Sequence, residues 1–156
     1  MPQRRAVACL GNPIMGDDAF GILVARELEG LRGADLLTLE GGGLDVSIKL
    51  VPYSEVLLID ALETPNGKVG EVLRLSVERL AGMPGLSGHG LGLAQALEAV
   101  GLLTGGAPRE VEILACRIRP VDEYREGVSP EVARAARRCA SLAREWAASG
   151  AFREKP

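Results

Sequence analysis

Two aspartates and the only histidine of the chain occupy positions where α/β proteins carry out chemistry. Asp18 lies in the loop after the first predicted strand, Asp60 follows the third, and His89 precedes a predicted helix. Such positions converge on one crevice at the carboxyl edge of a parallel sheet. Two carboxylates and an imidazole form an incomplete ligand set for a borderline divalent metal, with room for water or substrate. Glu40, which ends the second predicted strand, belongs to the same edge.

The loop that carries Asp18 has the glycine spacing of a phosphate-binding loop but the opposite charge. Gly11 and Gly16 keep its G-x-x-x-x-G pattern. Asp17 and Asp18 then stand where that loop has Lys and Ser or Thr. Carboxylates would repel a nucleotide phosphate, so the expected ligand is a cation. In a structural alternative, Asp17 caps the first helix and Asp18 complements its dipole.

The other candidates also have ordinary alternatives when each is taken singly. Asp60 could cap a turn, and Glu40 could be a solvated strand end. A lone histidine in a glycine-rich loop is more often an ordinary loop residue than a ligand. The joint placement of these residues at one sheet edge favours a site.

Composition predicts one cytoplasmic domain over residues 1–156. The chain is 47% hydrophobic but only 3% aromatic, and its net charge is −3, which argues against a nucleic-acid partner. No stretch has the pattern of a signal peptide or a membrane span. Cys9, Cys116 and Cys139 have no close pair spacing, which predicts buried free thiols. We expect a monomer without membrane contact or organic cofactor, with a frayed tail at 150–156.

Apolar patterning predicts strands that alternate with helices. The predicted strands are 6–10, 34–40, 56–59, 69–75 and 110–116, and the predicted helices are 22–31, 44–50, 91–103 and a terminal helix that starts at Pro130 after the N-cap Ser129. The apolar stripe of that last helix is Val132, Ala136, Cys139, Leu142 and Trp146. This alternation predicts a three-layer α/β/α sandwich around a twisted, mainly parallel five-stranded sheet, with 69–75 as an antiparallel edge strand.

Five short motifs follow one another along nearly the whole chain. They are GNPIMGDDAFG at 11–21, EGGG at 40–43, LLIDA at 57–61, SGHGLGL at 87–93 and GVSPEV at 127–132. Each is weak alone, but their order in a chain of this size resembles the hydrogenase maturation endopeptidases. That family trims the carboxyl-terminal extension from the large subunit of nickel-iron hydrogenases. The chain departs from the family pattern at Ala19 (often glycine), Gly43 (often threonine) and Glu40 (usually aspartate).

The resemblance implies an activity, a metal and a partner. The family's metal-binding residues correspond here to Asp18, Asp60 and His89, which are then also the expected catalytic residues. The metal is nickel already inserted in the large-subunit precursor, so the substrate supplies it. The resemblance also implies substrate contacts at Asn12, Glu40, Gly41 and Gly42.

No serine or thiol nucleophile accompanies these residues. Ser87 is two residues from His89 but has no identifiable orienting partner, and Cys9 and Cys116 lie in predicted strands. A metal could instead polarise the scissile carbonyl or lower the pKa of a bound water.

Two other functions stay open at this point. A nickel carrier or scaffold that does not cleave would bind the same precursor, because sequence alone does not separate binding from turnover. A receiver-type signalling domain also has an acidic pair after its first strand and an aspartate after its third, as Asp17, Asp18 and Asp60 are placed. A receiver needs a lysine at the end of its last strand, where this chain has Arg117 and Arg119.

Overall fold

Strands and helices alternate along the chain, as the apolar pattern predicts. The computed structural model describes residues 4–40, 43–81, 93–106 and 108–150. Its strands are β1 (Arg5–Leu10), β2 (Asp35–Leu39), β3 (Glu55–Glu63), β4 (Val72–Ser76) and β5 (Glu110–Ile118). Its helices are α1 (Phe20–Glu27), α2 (Gly43–Leu50), α3 (Val77–Ala81), α4 (Leu93–Thr104) and α5 (Pro130–Ser149). A short 3-10 turn, Gly16–Ala19, leads from β1 into α1.

The five strands form one sheet in the order β2-β1-β3-β5-β4. β1 pairs in parallel with β2 and β3, β3 pairs in parallel with β5, and β4 runs antiparallel to β5. The predicted mainly parallel sheet with one antiparallel edge strand is therefore confirmed. The chain runs outward from β1 to β2 and then returns to β3 on the other side of β1. Such a reversal opens a crevice between the carboxyl ends of β1 and β3.

Apolar side chains cover both faces of the sheet and produce three layers. Val7, Cys9 and Leu57 belong to a core that includes residues of α1 and α5. Ala8 and Leu58, one position further along each strand, belong to a second core with residues of α2 and α4. This alternation is the two-residue period of strands buried on both sides.

Helix α5 begins where the sequence predicts. The Ser129 hydroxyl accepts the Val132 N–H at 3.4 Å, and Pro130 occupies the first turn. The whole predicted apolar stripe of the helix is buried. Gly150 ends the helix with a φ of 75°, so only this first residue of the predicted tail is described. In the described ranges no helix has both the length and the apolar character needed to cross a membrane.

Several element boundaries differ from the prediction. β4 begins at Val72 and not at 69, because Gly70 has a φ of 88°, which an extended strand does not adopt. α1 ends at Glu27, before Gly30 with its φ of 80°, although the apolar pattern continues to 31. β5 continues to Ile118, and the short helix α3 was not predicted.

Candidate functional site

The loop after β1 is held in shape by its own hydrogen bonds. The Asn12 N–H donates to the Asp18 carbonyl at 3.2 Å, and the Asp18 N–H donates to the Met15 carbonyl at 3.1 Å. The Asn12 side-chain oxygen accepts the Ile14 N–H at 3.2 Å. A Cβ at Gly11 would lie 2.9 Å from the Asp18 carbonyl oxygen, so the loop closes tightly over this glycine. The side-chain oxygen of Asn12 thus serves the loop, and its substrate contact stays a prediction.

Asp17 braces the start of the last helix. Its Oδ1 accepts the Ser129 N–H at 2.7 Å, and its Oδ2 accepts the Ser129 hydroxyl at 3.1 Å. Neither the 3-10 turn nor α1 has a side-chain cap at its N-cap residue. Asp17 is therefore a structural residue, as the alternative proposed, but it supports α5 instead of capping α1. Sequence reasoning missed this contact because its partners lie far apart in the chain.

Asp18 occupies the 3-10 turn and is only 7% exposed. Aspartate is rarely buried to this degree unless it is paired or bound to a ligand. The turn packs against β3, the strand that contains Asp60. Asp60 is half-buried, and its Oδ1 accepts the N–H of Ala61 at 2.8 Å. The structure therefore brings together the two elements that carry the predicted acidic ligands, at the crevice between β1 and β3.

The expectation that Asp60 lies just past the end of the third strand is wrong. β3 continues to Glu63, because β5 stays paired with it from Asp60 to Glu63. On its other side, β3 pairs with β1 only as far as Ile59, opposite Cys9. Asp60 therefore lies one residue beyond the last pair with β1, beside the last residue of that strand, Leu10. Strand alternation places it on the face of Leu58, towards the layer of α2 and α4.

The remaining predicted site residues are only partly described. Glu40 directly follows β2 and is exposed. Glu40 and the Asp18 loop follow the carboxyl ends of the neighbouring strands β2 and β1, and Asp60 lies inside β3, the next strand in the sheet. The predictions for His89, Gly41 and Gly42 lie outside the described residues.

The three cysteines are buried free thiols, as predicted. Burial raises the pKa of the Cys9 thiol to about 12. Burial and the nearby Asp17 carboxylate raise the pKa of Cys116 to about 12 as well. Burial also raises the pKa of Cys139. Since the thiolate is the nucleophilic form, these cysteines are not nucleophiles at neutral pH.

Two arginines near the carboxyl end of β5 hold the loop between β3 and β4. Arg117 donates to the Glu71 carboxylate at 3.1 Å and to the Thr64 hydroxyl at 3.3 Å. Arg119 donates to the Gly67 carbonyl at 2.6 Å. These guanidinium groups therefore have a structural role at the position where a receiver domain needs its lysine.

Comparison with solved structures defines the class of fold. The chain is similar to the [NiFe] hydrogenase maturation protease HybD from Thermococcus kodakarensis, with 22% identity and a TM-score of 0.74 over 93% of this chain and 99% of that one. It is similar to the hydrogenase maturating endopeptidase HybD from E. coli, with 24% identity and a TM-score of 0.73 over 95% and 94%. HycI from Thermococcus kodakarensis gives 25% identity and a TM-score of 0.71 over 94% of both chains.

A family model described as hydrogenase maturation protease, HycI, matches residues 25–146. The chain therefore belongs to the hydrogenase maturation protease family, whose members are processing endopeptidases. The matched range contains Asp60 and His89, whereas the Asp18 loop precedes it. No curated protein sequence matches the chain. The family resemblance is confirmed, and the interpretation as a receiver domain is wrong.

Proposed function

We propose that the protein removes the carboxyl-terminal extension of a nickel-iron hydrogenase large-subunit precursor after nickel insertion, and that Asp18, Asp60 and His89 bind this nickel. One observation carries the proposal: the turn with the buried Asp18 packs against the strand of Asp60 at the crevice between β1 and β3. Open α/β sheets bind their ligands at this place. Family membership supplies the type of reaction.

The proposed ligand set explains how the enzyme would distinguish a nickel-loaded precursor from a metal-free one. Among the described residues, no group of three or more His, Cys, Asp or Glu side chains could hold a metal ion. In this proposal His89 and ligands of the substrate complete the coordination shell that Asp18 and Asp60 begin. Such a site holds a free divalent ion only weakly, because it lacks thiolates and further imidazoles. Tight binding requires the precursor to bring its own nickel and the remaining ligands.

The reaction adds one water molecule across a peptide bond. The water oxygen bonds to the carbonyl carbon, the C–N bond breaks, and the new amino terminus takes up a proton. Nickel held there would polarise the carbonyl or lower the pKa of the water. A carboxylate oxygen of Asp18 or Asp60 that is not bound to nickel would accept the proton from water and pass it to the new amino terminus. The buried, protonated thiols have no part in the reaction.

A paired digest tests this function. Wild-type protein and the His89→Ala variant are each incubated with metal-free and with nickel-loaded precursor, and the large subunit is weighed by mass spectrometry. We expect shortening only of nickel-loaded precursor by wild-type protein. His89→Ala should abolish cleavage, and circular dichroism should show an unchanged fold.

Each other result has a definite meaning. Equal cleavage of metal-free and nickel-loaded precursor would contradict nickel recognition. Full activity of His89→Ala would show that His89 is not part of the site. A precursor that binds nickel-dependently but keeps its mass would favour the nickel carrier or scaffold.

A further inference from the structure

Two large apolar side chains lie exposed together beside the Asp18 loop. Ile14 is 53% exposed and Tyr124 is 79% exposed. With Arg125 and Glu126 they line an open cleft of about 330 Å³. Ile14 belongs to the loop after β1, and Tyr124 belongs to the connection between β5 and α5. Single exposed apolar residues are common on protein surfaces, but adjacent ones that line a cleft indicate an interaction surface.

The backbone around this cleft is held by hydrogen bonds. The Arg125 N–H donates to the Ile14 carbonyl at 3.0 Å, and the Gly16 N–H donates to the Arg125 carbonyl at 2.9 Å. These two bonds form a parallel bridge between Met15 and Arg125. The two hydrogen bonds between Asp17 and Ser129 join the same segments a few residues further on. Because the cleft is preformed, a ligand does not have to order it on binding.

The cleft is close enough to Asp18 to contact the same peptide. Ile14 lies four residues before Asp18, and four residues span at most about 14 Å even when extended. A bound peptide in extended conformation covers this distance with about four of its own residues. A substrate with its scissile bond at Asp18 can therefore place a nearby side chain in the cleft.

We propose that Ile14 and Tyr124 form a subsite for an apolar side chain of the precursor, within about four residues of the cleaved bond. This inference rests on the proposed function. An aliphatic and an aromatic side chain line the cleft, and the exposed charge of Arg125 is balanced by Glu123 at 3.2 Å. An apolar substrate side chain therefore gains contact with Ile14 and Tyr124 while the pair of Arg125 and Glu123 stays intact. The subsite binds ground state and transition state alike, so it sets KM and not kcat.

The test measures binding and cleavage of nickel-loaded precursor separately. Binding is followed by fluorescence anisotropy of the labelled precursor, and cleavage is followed as kcat and KM. We expect Tyr124→Ala and Ile14→Ala each to raise Kd and KM about tenfold with kcat unchanged. Tyr124→Phe keeps the ring and should stay within about twofold of wild type. Leu103→Ala is the matched control, because Leu103 is 86% exposed at the end of α4.

Separate outcomes distinguish the subsite from the protease function. Cleavage with equal Kd and KM for Tyr124→Ala, Ile14→Ala and Leu103→Ala would overturn the subsite and keep the protease. If wild-type protein binds but does not cleave the precursor, and only Tyr124→Ala and Ile14→Ala weaken this binding, the subsite is kept and the protease function is overturned. If wild-type protein neither binds nor cleaves the precursor, both the subsite and the protease function are overturned. If Leu103→Ala raises Kd and KM as much as the two subsite variants do, the subsite is overturned.

Discussion

The two ends of the sheet use their charged residues differently. At the amino end, the Glu55 carboxylate lies between Arg5 at 2.5 Å and Arg109 at 3.5 Å. Glu55 is the first residue of β3, Arg5 is the first residue of β1, and Arg109 directly precedes β5. At the carboxyl end, Asp17 accepts hydrogen bonds from an N–H and a hydroxyl, and Asp60 accepts one from an N–H. Arginine pairing thus satisfies the carboxylate at the start of β3, whereas these aspartates on the carboxyl side of β1 and β3 accept hydrogen bonds from neutral groups.

This difference separates a part of the molecule that stabilises the fold from the part that we propose binds the substrate. A carboxylate between two guanidinium groups has its charge satisfied and contributes only to stability. A carboxylate buried in a crevice, such as Asp18, offers oxygen ligands where a cation can bind. Substitutions at the two ends should therefore affect different measurements.

The largest expected effect is on cleavage, and it distinguishes two adjacent aspartates. Asp18→Asn should lower kcat/KM for nickel-loaded precursor about a thousandfold, as removal of one essential electrostatic group does in other enzymes. Asp17→Ala is the matched variant and should lower the free energy of unfolding by about 2 kcal/mol, because two hydrogen bonds to Ser129 are lost. Its kcat/KM should fall far less. Equal losses of activity in the two variants would contradict the division of roles.

The next effect is on stability at the amino end. Glu55→Ala should lower the free energy of unfolding by about 3 kcal/mol, since it leaves the partly buried Arg5 without its carboxylate. Urea denaturation measures this change. The control is Glu112→Ala, which removes a more exposed pair with Arg74 and should cost less than about 1 kcal/mol. Both variants should cleave precursor at the wild-type rate while folded, and a selective loss of cleavage in Glu55→Ala would refute the separation of the two ends.

Local patterns in the sequence suffice for much of this fold. The start of α5 at Pro130 follows from a serine cap and a proline in consecutive positions, and its buried stripe follows from helical spacing. The mainly parallel direction of the strands also follows from the alternation of strands and helices, whereas their order β2-β1-β3-β5-β4 was not predicted. The antiparallel edge strand is also present as predicted, although it begins at Val72.

Features that depend on distant partners could not be predicted from local patterns. The end of β3 is one example, because its pairing with β1 stops at Ile59 whereas its pairing with β5 continues to Glu63. The contact between Asp17 and Ser129 is another, since no local signal links the two residues. The cleft of Ile14 and Tyr124 also arises only when two loops meet. For the candidate site, sequence predicted the sheet edge of Asp18 and Asp60, and the fold adds how each is held.

The smallest expected effect concerns the thiols in the strands that run between the two ends. In the folded protein the pKa of Cys9 and of Cys116 is about 12, compared with an ordinary value of 9.0. Below about pH 8 both states keep these thiols protonated, so they add no pH dependence. Above pH 9 the unfolded chain loses the protons first, and stability falls until the folded thiols also ionise near pH 12. Each thiol contributes a slope of at most about 1.4 kcal/mol per pH unit.

Urea denaturation from pH 7 to 10.5 measures this slope, and Cys9→Ala should reduce it relative to wild type. The same burial predicts that iodoacetamide at pH 7.5 leaves the folded protein unlabelled and its cleavage of nickel-loaded precursor unchanged. Rapid labelling of Cys9 in the folded protein together with loss of cleavage would show that a thiol close to the carboxyl end takes part in the reaction. In that case the acidic residues would no longer account for the chemistry at that end of the sheet.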